Sequence, residues 1–320
     1  MKRFKNFLYV MNTHIDKPNP SLLRAVSLAK NNQADLTLLL VIPKLTLSSI
    51  GKTGINGAEI EKIAFERETK NLNELLSLLD QKVNIKFEIK VGKTYLESIR
   101  IVLSQNFDIL IKEADKASWF NRLITSDDMH LLRNCPCPVW LMKKNEKSNY
   151  KQVLAAVDFD SEDVENSNDE LNNLIVSLAC SISIAEFSTL HVVNAYDVLD
   201  AGFISLWVDE PEKIEKEMFD FKYRDSRYKM DKLLHNLKET LGEKVSNFLS
   251  LESHIIKGAA GEELPKIAKR VDADIVVMGT IARTGISGLV IGNTAETILN
   301  QLDSSILAIK PKGFVSPISL

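Results

Sequence analysis

The sequence predicts an α/β protein with two tandem domains, each a five-stranded parallel sheet with helices on both faces. Three observations support this fold class. Short apolar strands alternate with amphipathic helices, the whole pattern occurs twice, and a glycine-rich loop follows one late strand. The chain has 320 residues, enough for two domains at ~150 residues each.

Each half opens with a short apolar strand, residues 7–11 in the first half and 153–157 in the second. A helix is predicted after each strand, because apolar residues recur at a spacing of three or four. These residues are Leu22, Leu23, Val26 and Ala29 in the first half, and Leu171, Leu174, Ile175, Leu178 and Ile182 in the second.

The later strands show the duplication most clearly. In both halves a strand ends at a glycine, a helical stretch follows, and the next strand begins at an aspartate. Gly92 to Asp108 and Gly258 to Asp274 are the same sixteen-residue step. Each half then closes with an apolar strand that ends in lysine, at Lys143 and Lys310.

The domain boundaries follow from this duplication. The first domain is expected to span residues 1–146 and the second 150–312, with a C-terminal tail at 313–320. Residues 143–151 form a polar linker between the domains. Because the linker is short, the two halves are expected to pack against each other as a pseudo-dimer.

The second half is longer, because Asn12 to Gly92 is 80 residues and Asp158 to Gly258 is 100. The additional residues are predicted to form an aromatic insertion around 196–240. Such an insertion either packs on a core or an interface, or lines a ligand cavity. Its apolar residues include Phe203, Leu206, Trp207, Val208, Met218, Phe219, Phe221 and Tyr223.

The glycine-rich loop begins at Gly279, directly after the apolar strand 274–278. A strand that leads through glycines into a helix start is a typical phosphate cradle, because backbone N–H groups and the helix dipole favour an anion. Gly292 would let the backbone approach the phosphate, and Asn293 or Thr294 would cap the helix. An ordinary turn between strand and helix is the alternative. The first half has no glycine at the corresponding residues 112–120.

Composition excludes several classes of function. A net charge of −3 gives no basic bias toward nucleic acid. No apolar run approaches the ~20 residues that cross a membrane, so we expect a cytoplasmic protein. Cys135 and Cys137 are too close in sequence for a zinc pair. The histidines lie far apart in sequence, so no metal cluster is expected from His14, His130, His191, His235 and His254.

These residues resemble the universal stress protein family, over essentially the whole chain as a tandem pair. Members with a nucleotide site carry Gly-x2-Gly-x9-Gly-Ser/Thr after the fourth strand. Gly279 and Gly292 match the first and third glycines, whereas Ala282 replaces the second. Asn293 stands in place of Ser/Thr, with Thr294 behind it.

The resemblance also carries over an adenine site. The family's adenine-contacting aspartate matches Asp158, and the valine of its Leu-His-Val pattern matches Val192; the first half has Asn12 where the aspartate would be. The resemblance implies a cytoplasmic stress-response protein linked with survival of starvation and DNA damage, and it leaves a homodimer open.

Three functions remain open on this basis. The first is a regulatory protein that binds ATP, with Mg²⁺, in the second half only. Asp158 would contact adenine, the amides around Gly279, Thr280 and Arg283 would hold phosphates, and the Arg283 guanidinium would pair with a phosphate oxygen. The second is a module for a partly apolar, non-nucleotide ligand, and the third is a structural or partner-binding protein.

A dedicated enzyme is not expected, since no catalytic motif is found in the sequence. Slow ATP hydrolysis as a by-product of binding is compatible with the first function. The first half is expected to be structural.

Overall fold

The computed structural model describes residues 4–12, 17–44, 57–115, 127–159, 167–198, 210–280 and 292–320. The described residues form two compact units. One contains the residues up to Ser148 together with Phe314–Leu320, and the other those from Asn149 to Gly313. The terminal residues therefore join the first unit, where the Arg100 guanidinium lies 3.5 Å from the Ser319 carbonyl oxygen.

The first unit contains five strands and four described helices. In chain order these are β1 (Asn6–Val10), α1 (Pro20–Asn32), β2 (Asp35–Ile42), α2 (Gly57–Ser77), β3 (Ile85–Val91), α3 (Thr94–Gln105), β4 (Ile109–Glu113), α4 (Asp127–Asn134) and β5 (Val139–Met142). Every described strand pair in this unit is parallel, in the order β3-β2-β1-β4-β5.

The second unit repeats this arrangement. Its elements are β6 (Gln152–Ala156), α5 (Ser167–Glu186), β7 (Thr189–Tyr196), α6 (Pro211–Leu241), α7 (Glu243–Ser246), β8 (Leu251–Lys257), α8 (Ala260–Arg270), β9 (Ile275–Gly279), α9 (Asn293–Gln301) and β10 (Ser305–Ile309). The strands are again parallel, in the order β8-β7-β6-β9-β10. The predicted fold class is confirmed, and the packing of the halves as a pseudo-dimer stays a prediction.

The strand order explains why both faces of each sheet are covered. Parallel strands are joined by right-handed crossovers, so helices change face where the chain reverses its direction across the sheet. In the second unit that reversal separates α5 and α6 from α8 and α9, and within each pair the two helices contact each other. The central strands are consequently buried and almost wholly apolar.

Side-chain interactions repeat with the fold. Asp108 accepts hydrogen bonds from the backbone N–H groups of Lys5 and Asn6. Asp274 accepts them in the same way from Lys151 and Gln152. In both halves, therefore, an aspartate just before the fourth strand holds the backbone at the start of the first strand.

The aromatic insertion extends the helix after β7. Helix α6 has 31 residues, whereas its counterpart α2 has 21. Phe219 and Tyr223 lie 6.4 and 6.0 Å from Tyr196, measured between ring centroids. The insertion thus packs on the end of β7, while Phe221 is exposed. The predicted residues Phe203, Leu206, Trp207 and Val208 lie outside the described part of the chain.

Candidate functional site

The candidate site lies where β6 and β9 end side by side in the second unit. These two strands are neighbours, with Ala156 opposite Met278. The chain leaves β6 toward β7 on one side and reaches β9 on the other, which makes this a topological switch point. Ligands of open α/β sheets bind outside the carboxyl ends of the strands at such points. The fold therefore brings Asp158 and Gly279 to one edge.

The backbone of Asp158 is fixed by a buried side chain. Asn172, on α5, accepts a hydrogen bond from the Asp158 N–H at 3.1 Å, and its amide donates to the Asp158 carbonyl at 2.7 Å. Asp158 itself is exposed. A carboxylate on a fixed backbone at the sheet edge is suited to accept hydrogen bonds from a ligand. Sequence reasoning missed Asn172, which is a polar residue buried on an amphipathic helix.

Close packing explains why residue 279 is a glycine. A Cβ built at Gly279 would lie 3.1 Å from Leu171 Cδ2, because α5 lies close against the end of β9. The next residue, Thr280, is buried, and its hydroxyl accepts a 2.7 Å hydrogen bond from the ammonium group of Lys310. Lys310 follows β10, so a buried positive charge lies beneath the start of the loop. The signal in the sequence was a lysine at the end of an apolar strand.

The two ends of the loop meet at the start of α9. The backbone N–H of Gly292 donates to the carbonyl of Thr280 at 3.3 Å. Ala282 and Arg283 lie outside the described residues, so their predicted roles stay predictions. The N–H groups that open α9 therefore face the same edge as Asp158.

The cap prediction for this helix was wrong. The N-cap is Gly292, with no side-chain cap from the described residues, and Asn293 and Thr294 already lie inside the helix. Gly292 has φ −58° and ψ 139°, values open to any residue. The glycine is therefore not needed for a left-handed backbone, and any requirement for it must come from space.

Asn194 carries the most informative atom of the site. Its side chain is buried, and its amide donates to the Val157 carbonyl at 3.2 Å, beside Asp158. Its other polar atom, Oδ1, has no hydrogen-bond partner in the described structure. An unsatisfied buried acceptor costs about 1–3 kcal/mol, and the described protein residues leave the hydrogen bonding of Oδ1 incomplete at this edge. A lone asparagine in the apolar strand β7 was the missed signal.

Val192 is not brought to this edge. It lies inside β7, buried, opposite Ala155 of β6 and Ser253 of β8. Ala155 precedes Asp158 by three residues, which is about 10 Å along a strand. The structure thus groups Asp158, Asn194, Thr280 and the start of α9, and it leaves Val192 within the sheet.

The corresponding edge of the first unit is filled by its own side chains. Glu113 stands where the second half has Gly279, and it accepts 2.9 Å hydrogen bonds from Asn19 and Ser21. The buried Lys112 ammonium lies 2.8 Å from Asp128 and 2.7 Å from Asp115. Burial alone would lower the pKa of Lys112, but the carboxylates of Asp128 and Asp115 outweigh burial and raise it.

The comparison with known proteins agrees with this fold. The profile of the Universal stress protein family matches residues 3–143 and 149–310. The chain belongs to the universal stress protein family. The matched segments are the two halves described above, so the resemblance deduced from the glycine loop is confirmed.

Several relatives of this universal stress protein carry the same two-domain layout. Universal stress protein E of Salmonella typhi is 28% identical over 333 residues, covering 100% of this chain and 98% of its own. Universal stress protein E of Escherichia coli K12 is 31% identical over 242 residues, which are 74% of this chain and 72% of the relative.

Solved structures agree with the fold of this universal stress protein. The functionally unknown protein PA1789 of Pseudomonas aeruginosa PAO1 matches with a TM-score of 0.63 and 25% identity, over 96% of this chain and 93% of its own. A universal stress protein of Archaeoglobus fulgidus shares the fold with a TM-score of 0.58, at 16% identity and 96% coverage of both chains. Among the described residues, no helix has the length and apolar character that crossing a membrane requires.

Proposed function

We propose that this universal stress protein is a cytoplasmic regulatory protein that binds ATP in its second half only. The observation that carries the proposal is the buried, unpartnered Oδ1 of Asn194 beside Asp158. In the proposed complex the adenine amino group donates to Oδ1 of Asn194 and to the carboxylate of Asp158. In the first half the Met11 N–H donates to the Leu39 carbonyl, just as the Val157 N–H donates to the Val193 carbonyl in the second. The residue that corresponds to Asn194 is therefore Leu40, which is buried.

The other groups at the edge suit the phosphates of the same ligand. The opening N–H groups of α9, at Asn293 and Thr294, point outward from a helix start without a side-chain cap among the described residues. Such N–H groups and the helix dipole together favour an anion. The buried charge of Lys310, held at the Thr280 hydroxyl, adds to the positive potential beneath the loop.

The proposal does not include a dedicated reaction. A hydrolase would need a base positioned on an attacking water and ligands for a metal ion on the phosphates. The described residues at this edge supply binding groups for adenine and phosphate instead. Hydrolysis of ATP, where measured, is therefore expected to be slow.

Calorimetric titration of the full-length protein with ATP tests this function. Asp158→Ala is expected to weaken binding at least tenfold, because a carboxylate that accepts from adenine is lost. The matched control is Asn12→Ala at the same position of the first half, which should change the affinity less than twofold. An unchanged affinity in Asp158→Ala, in a folded protein, would contradict the proposal.

A second candidate function is supported by the aromatic insertion. Phe219 and Tyr223 lie against Tyr196 at the end of β7, and the Lys257 ammonium lies 3.4 Å from the centre of the Phe219 ring. This aromatic group follows the same carboxyl edge as Asp158 and Asn194. A ligand with an anionic head and an apolar portion could use both surfaces.

Thermal-shift measurements with ATP, ADP and an acylated nucleotide separate the two candidates. Equal stabilisation by ATP and the acylated compound supports a plain nucleotide site. A larger shift with the acylated compound that disappears in Tyr223→Ala would favour the second candidate.

A further inference from the structure

Three side chains that are distant in sequence meet on one face of the second sheet. His191 lies on β7 directly opposite Glu252 of β8, and His254 lies two residues further along β8. Alternate residues of a strand point to the same face. The sequence predicted no cluster of histidines, because the parallel pairing of β7 and β8 is what brings positions 191 and 254 together.

The distances between their ligand atoms fit a single small cation. His191 Nδ1 lies 3.0 Å from His254 Nε2 and 3.4 Å from Glu252 Oε2, and the last two atoms are 3.8 Å apart. A tetrahedral ion with bonds of about 2.0–2.1 Å separates its ligands by about 3.3–3.4 Å. We propose that His191, Glu252 and His254 form a binding site for a divalent transition-metal ion, with Zn²⁺ as the representative ion.

The surroundings of His191 favour this role. Its Nε2 lies 2.8 Å from the side-chain amide oxygen Oε1 of Gln152, which can only accept; this placement of the amide assigns the proton to Nε2 and turns the lone pair of Nδ1 toward the cluster. Metal-binding histidines are commonly oriented in this way by an acceptor on the far nitrogen.

Without a metal, the proton of His254 lies between the two rings. With Gln152 Oε1 accepting from His191 Nε2–H, the assignment that follows is donation from His254 Nε2–H to His191 Nδ1. When the ion binds, that proton moves to Nδ1 of His254, and both lone pairs then face the ion. No net proton is released by the pair.

Two features define what kind of site this is. His191 is buried, whereas 58% of the Glu252 side chain is exposed, so the fourth position of the ion opens to solvent. The positive charge of Arg270 acts on His254 and opposes a cation, so the affinity is expected to be moderate. The cluster lies toward the amino end of β7 and β8, away from Asp158, so the metal site is separate from the proposed nucleotide site.

Competition of the metal-free, full-length protein with a chromophoric Zn²⁺ chelator, in the absence of nucleotide, tests the proposal. The parent should bind one equivalent, and His254→Gln and Glu252→Gln should each weaken binding at least about tenfold. The matched control is His235→Gln, since His235 and Glu239 form an exposed pair 3.3 Å apart on α6, with no third ligand among the described side chains. That variant should bind within twofold of the parent.

Two further measurements keep the test decisive. Gln152→Glu should raise the affinity several-fold, because a carboxylate behind His191 makes the imidazole a stronger ligand. With Co²⁺, the visible spectrum should show tetrahedral nitrogen and oxygen ligation. A thiolate-to-cobalt band would place the ion at the cysteines and overturn the proposal. Unchanged Zn²⁺ affinity in a folded Glu252→Gln or His254→Gln protein would overturn it as well.

Discussion

The two halves share one fold but carry different residues at the carboxyl ends of their central strands. At the edge of the first half, Glu113 and Asp128 are internal carboxylates held by neighbouring side chains. At the same edge of the second half, Gly279 and Thr294 stand at these positions, each 166 residues later, as Gly92 and Gly258 also are. The first half fills this edge with its own carboxylates, whereas the helix start at the same edge of the second half has no side-chain cap among the described residues.

The contrast shows that two domains with the same fold can differ at the carboxyl edge of the sheet through a few side chains. Both halves have the same strands in the same order, and in both an aspartate accepts hydrogen bonds from the backbone at the start of the first strand. Lys112 corresponds to Met278, and Asp128 to Thr294, by the same offset. Four predictions test what particular side chains of the two halves contribute to stability and, in one case, to ATP affinity.

The largest effect is expected from Lys112→Met, which gives the first half the second half's residue. It leaves the fully buried carboxylate of Asp128 without its cation, and such a loss costs about 3–5 kcal/mol. Denaturant unfolding followed by circular dichroism measures the change. The double variant Lys112→Met, Asp128→Thr should recover most of it. A loss below 1 kcal/mol in the single variant would show that the ion pair is not what holds this edge.

The pH dependence of the same ion pair gives the second prediction. The carboxylates raise the pKa of Lys112 in the folded protein. The stabilisation is therefore fully present below the ordinary lysine pKa of about 10.4 and is lost as the pH rises through the raised value. The difference in unfolding free energy between the parent and Lys112→Met should shrink above that pH. A difference that stays constant between pH 7 and 12 would contradict the assignment.

Asn194→Leu should separate stability from binding in the second half. The variant removes the unpartnered Oδ1 and introduces the residue found at Leu40. We expect stability to change by less than about 1 kcal/mol, because the unsatisfied Oδ1 is removed but the buried Val157 carbonyl loses its donor from Asn194. ATP affinity should fall at least tenfold. Thermal unfolding measures the stability and calorimetry the affinity, and an unchanged ATP affinity in the folded variant would contradict the proposed role of Asn194.

The smallest effect concerns a backbone position that the halves share. Gln33 and Phe187 both end a helix with positive φ, at 52° and 54°. Phe187 is almost fully exposed, so Phe187→Gly should stabilise by about 0.5–1 kcal/mol by relieving the left-handed strain. Gln33→Gly provides the matched comparison in the first half. Melting temperatures of both variants measure it, and a destabilised Phe187→Gly would show that the ring is needed for contacts.

The fold was predictable because its signals are local and occur twice. The repeated sixteen-residue step and the apolar strands were sufficient to predict two parallel sheets, and Gly279 marked the loop. Asn172, Asn194 and Lys310 were not predictable as site residues, because each acquires its role from a neighbour on another strand or helix. The predicted position of the helix cap was wrong, because glycine and asparagine are both residue types that occur at N-caps and the sequence does not decide between Gly292 and Asn293.

The histidine cluster could not be predicted from the sequence for a similar reason. Metal motifs are usually recognised by short spacings along one element. His191 and His254 are 63 residues apart, and only the register of β7 against β8 places them on the same face. Sequence spacing alone carries no information about that register.

The placement of residues 314–320 in the first unit has a consequence for how the protein is assembled. That unit is discontinuous: most of it precedes the second half along the chain, and its final segment follows. A ribosome delivers the second half before the segment that reaches Arg100. Since domains generally fold as they emerge, the unit that begins first is the last to be completed, and a fragment ending at Ser148 lacks part of its own surface.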